Sequence, residues 1–99
     1  MATIQHTAFF KLKHIAGSAA ETRFLELALG LARIPGVHKL ECVKQISQKN
    51  HFAWGLLMGF DSQADYERYN AHPDHLRFVA EHWVPEVEQF MELDYTARG

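Results

Sequence analysis

The chain has 99 residues, 47% of them hydrophobic and 22% charged, with 10 basic and 12 acidic side chains and a formal net charge of −2. This is the balance of one ordinary globular domain spanning residues 1–99, and it excludes a disordered tail, a collagen-like fibre and a coiled-coil rod. Nucleic-acid binding needs clustered Lys and Arg to release counterions, and no such cluster is present, so no nucleic-acid partner is expected.

Residues Ile4 to Lys13 alternate. Ile4, His6, Ala8, Phe10 and Leu12 share one face, and Gln5, Thr7, Phe9, Lys11 and Lys13 the other, which predicts a strand with one buried face. Ser18-Ala-Ala-Glu21 fits a capping box. Ala20, Phe24, Leu27, Leu31 and Ile34 then recur at helical spacing until Pro35-Gly36, which predicts a helix over 19–34. Val37 to Ser47 reads as a second, more polar strand, closed by the turn Gln48-Lys49-Asn50. His51 to Phe60 reads as a third. One of its faces is bulky (Phe52, Trp54, Leu56, Met58, Phe60) and the other mostly small (His51, Ala53, Gly55, Leu57, Gly59). Helices over one face and a closely approaching sheet on the other would give this pattern. Asp61 or Ser62 begins a second helix, which His72-Pro73 interrupts near Ala71. A further helix is predicted over 73–83, ended by Pro85, and Val87 to Thr96 is the fourth strand.

The order βαββαβ, with right-handed crossovers, predicts an α+β fold of ferredoxin-like type. It has a four-stranded antiparallel sheet, the first and third strands central, and helices on one face. The other face carries Phe9 and Leu57 and needs a cover. A second copy of the chain is the simplest one, so a homodimer is expected.

Seven histidines in so short a chain are an excess. The densest polar cluster is Tyr69-Asn-Ala-His72-Pro-Asp-His75. On an unbroken helix Tyr69 and His75 would stand about 120° apart, but the proline break re-aims the chain and lets them converge. His75 would sit in a first helical turn, where the helix end disfavours imidazolium and leaves a neutral imidazole suited to a general base. It could equally be a histidine bonded to nearby backbone. His6, the one polar residue on its strand face, is either a satisfied core histidine or part of a cavity under the helices. Such a cavity would be lined by His6, Phe24, Trp54, Tyr69 and His75, apolar with a few convergent polar groups. His72 and His75, with His6, also raise a metal site. The intervening proline and the shortage of a fourth ligand beyond Asp74 argue against it, so no metal is expected. The lone Cys42 cannot form an intrachain disulfide. No run approaches the length of a membrane span and no secretory pattern opens the chain, so no membrane partner and a cytoplasmic location are expected.

The strand HTAFFKLK, the helix end IPGV, the segment FDSQADYERYNAHPDHLRF and the closing DYT together resemble the stress-responsive dimeric α/β-barrel (Dabb) domain, from about Ile4 to Thr96. The resemblance implies a ferredoxin-like subunit whose homodimer joins two sheets into a barrel. One enzyme of the family, a plant polyketide cyclase, works by aldol condensation without metal or cofactor. Its catalytic pair would fall on Tyr69 and His75. By that resemblance His75 would abstract a proton and Tyr69 would hold the enolisable carbonyl. By the same resemblance His6 matches a pocket histidine of that enzyme and His72 the histidine before its proline, which adds His72 to the expected pocket residues. Trp54 stands where it has another pocket histidine, so the same substrate is not expected here.

Three readings follow. The first is a homodimeric small-molecule-binding protein with a pocket between sheet and helices, holding a small apolar or aromatic ligand. The second is a cofactor-independent cyclase, lyase or monooxygenase-like enzyme using Tyr69 and His75. The third is a stress-protective structural dimer with no open pocket.

Overall fold

The structure is a computed structural model that describes residues 3–99. Strand β1 (Ile4–Leu12) leads to helix α1 (Ala19–Leu29), then to β2 (His38–Lys44) and β3 (Trp54–Phe60). Helix α2 (Gln63–Ala71), helix α3 (Pro73–Phe78) and strand β4 (Val87–Tyr95) complete the chain. The four strands form one antiparallel sheet in the order β2-β3-β1-β4, so β1 and β3 are central, as the sequence predicts.

Local chemistry sets the element ends. Ser18 caps α1, its hydroxyl accepting from the Glu21 N–H at 3.2 Å. The Glu21 carboxylate accepts from the Gly17 N–H at 2.9 Å, a variant of the expected capping box one residue further out. The α-helix stops at Leu29 rather than at residue 34, and Gly30–Arg33 tightens into a 3₁₀ turn. The third strand begins at Trp54, later than expected. The Asn50 side chain accepts from the Phe52 N–H at 3.0 Å, a local bond that competes with strand pairing just before Trp54. Past Phe78 the predicted helix widens into a π-helical turn over Val79–Trp83, and a last short turn, Val84–Glu86, hands over to β4.

The period-2 pattern of β1 resolves as read. Ala8, Phe10 and Leu12 are buried under the helices on the same sheet face as Leu56, Met58 and Phe60 of β3, with Ala8 opposite Leu56. Phe10, Phe24 and Phe60 are wholly buried. Phe24 packs against Phe10, Phe78 and Trp83 at ring separations of 5.6, 5.5 and 6.2 Å, so α1 is anchored by aromatic contact as well as by area.

No helix among the described residues covers the opposite face. Phe9 of β1 lies over Gly55 of β3, where a Cβ would come within 2.4 Å of the ring. That contact explains the glycine at position 55. On the same face β4 presents Met91, Leu93 and Tyr95, opposite Phe9, Thr7 and Gln5, and all three are more than half exposed. No helix among the described residues is long and apolar enough to cross a membrane.

Candidate functional site

A cavity of about 360 Å³ lies between the sheet and the α3 side of the helical layer. Its walls are mainly apolar, with Leu56 and Met58 from β3, Leu31 from the 3₁₀ turn after α1, and Val79, Trp83 and Phe90 from the π turn and β4. Its polar groups are His6, Tyr69, Asn70, His75 and Glu92. A π turn is an uncommon device that often marks functional positions, and here it forms one wall.

The break between α2 and α3 positions the central pair. His72 is extended, with φ −65° and ψ 136°, as a residue before proline prefers. It ends α2 and caps α3, its Nδ1 accepting from the Asp74 N–H at 3.1 Å. Pro73 then starts α3 where its missing N–H costs nothing. The turn brings the His75 ring against Tyr69, with ring centroids 4.4 Å apart.

His75 Nδ1 lies 3.0 Å from the Asn70 carbonyl. A carbonyl only accepts, so Nδ1 carries the proton and Nε2 keeps its lone pair. Burial lowers the pKa of His75 below its ordinary 6.5 and the charge of His6 acts in the same direction, outweighing the Asn70 carbonyl and Glu92, which pull it up. The imidazole is therefore neutral at pH 7. Burial here replaces the helix end as the identified cause.

Tyr69 is almost wholly buried, and its hydroxyl has no hydrogen-bond partner among the described residues. No buried side-chain polar atom among them is left unsatisfied, so this hydroxyl reaches accessible space, which is the cavity. Burial pushes its pKa up and Glu92 adds to the rise, so it stays protonated and can donate.

His6 reaches the cavity from the floor of the sheet. Its Nδ1 lies 2.5 Å from Asp94 Oδ1, directly across the β1–β4 pairing, so Nδ1–H donates to the carboxylate. Tyr66 donates to the other oxygen of Asp94 at 2.8 Å, and its own oxygen stands 2.9 Å from His6 Nδ1. Burial and then Asp94 raise the Tyr66 hydroxyl, which keeps it a donor. The His6 ring centroid is 6.2 Å from that of Tyr69.

Of the six pocket residues expected from the sequence, His6, Tyr69 and His75 converge on this cavity. The other three lie elsewhere. Phe24 is consumed by the aromatic core. Trp54 is on the expected face but at the far end of β3, where its indole N–H donates to Glu21 at 3.1 Å. His72 is committed to capping α3. Among the described residues no three His, Cys, Asp or Glu side chains are grouped as a metal ion would need. The sequence reading missed Asp94, Glu92, Tyr66 and Asn70. Alternation in β4 does place Phe90, Glu92 and Asp94 on one face, but only the strand register puts Asp94 opposite His6.

The model of the stress-responsive A/B barrel domain matches residues 4–97. The chain belongs to that family. A curated relative, a stress-response A/B barrel domain-containing protein of Arabidopsis thaliana, is 31% identical over 96 residues. That match takes in 95% of the chain but only 36% of the plant protein, so the chain spans about a third of the relative's length. Among solved structures, a Dabb family protein with a ferredoxin-like fold from Mesorhizobium loti is 48% identical, with a TM-score of 0.97 and all of both chains covered. Two more distant structures share the fold. One is a dimeric ferredoxin-like protein of unknown function from Thermobifida fusca, 16% identical, with a TM-score of 0.79 over 97% of this chain and 92% of that one. The other is the hydroxynitrile lyase of Passiflora edulis, 18% identical, with a TM-score of 0.85 over 98% and 94%.

Proposed function

We propose that this chain is one subunit of a homodimeric small-molecule-binding protein. Its cavity takes a small, mainly apolar molecule with a carbonyl or weakly acidic group at one end. The observation that carries this is the convergence of the Tyr69 O–H donor and the neutral His75 imidazole, 4.4 Å apart by ring centroid, in a mainly apolar cavity. Few polar groups in an apolar hollow is the usual composition of a ligand site, and about 360 Å³ suits a small ligand. The open volume favours this reading over a barrel filled by its own side chains.

The homodimer is supported by the uncovered sheet face. Met91, Leu93 and Tyr95 stay more than half exposed although each pairs with a residue of β1. Apolar rows of this kind are commonly interfaces. Light scattering at micromolar concentration is expected to give twice the 11.4 kDa chain mass, and Leu93→Arg to give the monomer. A wild-type monomer would remove the dimer from this reading.

Native mass spectrometry of freshly purified protein, paired with a denaturing run, tests the pocket. The expected result is extra mass on the folded protein that denaturation releases and that His75→Ala reduces. If cyclohexanone and phenol at millimolar concentration leave the NMR signals of His6, Tyr69 and His75 unmoved, the pocket reading fails.

A second reading, proton-transfer catalysis without a cofactor, is favoured by one specific feature. The Asn70 carbonyl fixes the tautomer that leaves His75 Nε2 unprotonated, which is the form a general base needs. Tyr69 would then donate to the oxygen on which charge develops.

A further inference from the structure

The cavity holds a second imidazole that the His75–Tyr69 pair does not use. We propose that His6, oriented by Asp94, is a second acid–base group, and that His6 and His75 together move a proton between two carbons of a small unsaturated ketone. The inference rests on the base role proposed for His75 and extends it to a substrate class.

The argument is geometric. Tyr69 neighbours both imidazoles, 6.2 Å from His6 and 4.4 Å from His75 by ring centroid. Each imidazole has its Nδ1–H committed to a protein acceptor, His6 to Asp94 and His75 to the Asn70 carbonyl. Each therefore has Nε2 left for a ligand. The two acceptors differ in charge. When His6 takes a second proton, its contact with Asp94 becomes an ion pair, whereas His75 has only a neutral carbonyl. A charge on His6 also discourages a charge on His75. The carboxylate partner fits His6 to the acid role and the carbonyl partner fits His75 to the base role. The charged and titratable groups around His6 are Asp94 and Glu92 from β4, Tyr66 and Tyr69 from α2, and His75 from α3. Environments that separate two titratable groups in this way assign acid and base roles.

An acid and a base beside one hydroxyl donor suit a β,γ-unsaturated ketone. His75 Nε2 takes the proton from the carbon between the carbonyl and the double bond. That C–H bond breaks, and its electron pair runs through the conjugated system onto the oxygen, which accepts from the Tyr69 hydroxyl. His6 Nε2–H then gives its proton to the γ carbon. A new C–H bond forms, the electron pair returns from the oxygen, and the double bond moves into conjugation. The product is an isomer, so no oxidant, reductant or co-reactant is needed. Exchange with solvent returns His75 to neutral and His6 to its protonated form.

The test uses the full chain and cyclohex-3-enone in D₂O, followed by proton NMR. Two events are read together: deuterium entering the α position, and conversion to the conjugated isomer. Exchange reports the base role of His75, and the ratio of isomer to exchange reports His6. The wild-type protein is expected to show both. Positioned acid–base groups contribute about 10²–10⁴-fold, so His6→Gln is expected to lower the ratio by about 100-fold. Because His6 is buried, Asp94→Asn at the half-exposed strand edge serves as the second variant. It keeps an acceptor for Nδ1–H but removes the charge. It is expected to lower the ratio by about 10-fold and to change the pH profile of the ratio, which a merely structural contact would not do. Exchange without isomerisation in the wild type, or an unchanged ratio in a folded His6→Gln or Asp94→Asn, overturns the two-base inference and leaves the His75 reading standing. Absence of exchange in the wild type overturns both.

Discussion

His75 reaches Tyr69 only because His72 interrupts the helix between them. His72 does so with two features of its own, an extended backbone imposed by Pro73 and a ring nitrogen that accepts from the Asp74 N–H. The residue acts on the cavity through the chain direction it sets, and its side chain makes a cap. His72→Ala is therefore expected to lower stability by about 0.5–1 kcal/mol, the lower range for a lost N-cap. Ligand affinity should change less than twofold once the protein is folded. Urea denaturation and a binding titration on the same preparation check both halves. A large loss of affinity with unchanged stability would return His72 to the pocket.

Gly55 and Phe9 form the corresponding relationship on the uncovered face. A methyl group at residue 55 would meet three ring atoms of Phe9 at 2.4, 2.7 and 2.9 Å. The ring is the mobile end of a side chain, so it can swing, but only outward from the sheet. Gly55→Ala is expected to cost about 1–3 kcal/mol, as overpacking does, and to weaken self-association, since the displaced ring disturbs the face expected to meet a second copy. Phe9→Ala in the same chain should recover part of the stability loss. Chemical denaturation and sedimentation of the single and double variants measure the two effects separately.

Much of the fold was legible because its signals are local and periodic. Alternation in β1 assigned His6 to the helix side, and the bulky and small faces of β3 announced a covered face and a close contact. The site was legible only where one chain segment builds it, as in Tyr69 to His75. Trp54 has the right face but lies too far along β3, and alternation says nothing about distance along a strand. Asp94 depends on the pairing of β1 with β4, residues far apart in sequence, and register is not written in either strand alone. The π turn over Val79–Trp83 has the same apolar residues an α-helix would carry, so its widening left no mark in the pattern.

Glu86 ties the loop after β1 to the turn before β4. Its carboxylate accepts from His14 at 2.6 Å and from His82 at 2.9 Å, while its carbonyl accepts from the Lys13 N–H. Burial raises its pKa, but the two histidine bonds outweigh that and hold it below the ordinary 4.5. The folded carboxyl thus releases its proton more readily than the unfolded one. The resulting stability is complete above 4.5 and is lost as pH falls through the lower folded value. Glu86→Gln is expected to be less stable than wild type by about 1 kcal/mol at pH 6, since partly exposed charged bonds are modest. The two proteins should draw together at pH 3. A difference that persists unchanged at pH 3 would mean the contact acts by packing alone.

For His75 the sign is reversed relative to a stabilising ion pair. Burial lowers its folded pKa below 6.5, aided by His6, despite the Asn70 carbonyl and Glu92. Below pH 6.5 the unfolded chain takes up a proton that the folded chain refuses. Stability is therefore full above 6.5 and declines as pH drops toward the folded value, beyond which this contribution stops changing. His75→Gln removes that slope, so the wild type should lose more stability than the variant between pH 8 and pH 5.5. The imidazole signal of His75 should titrate with a midpoint under 6.5, and Asn70, which binds through its backbone carbonyl, should tolerate Asn70→Ala with that midpoint little moved. Tyr69→Phe removes a donor from the cavity but not the burial of His75, so it should weaken binding of a carbonyl probe while leaving the midpoint low. A His75 midpoint at or above 6.5 in the wild type would mean that the ring is charged through much of the neutral range, and the neutral base on which the proton-transfer reading depends would be lost.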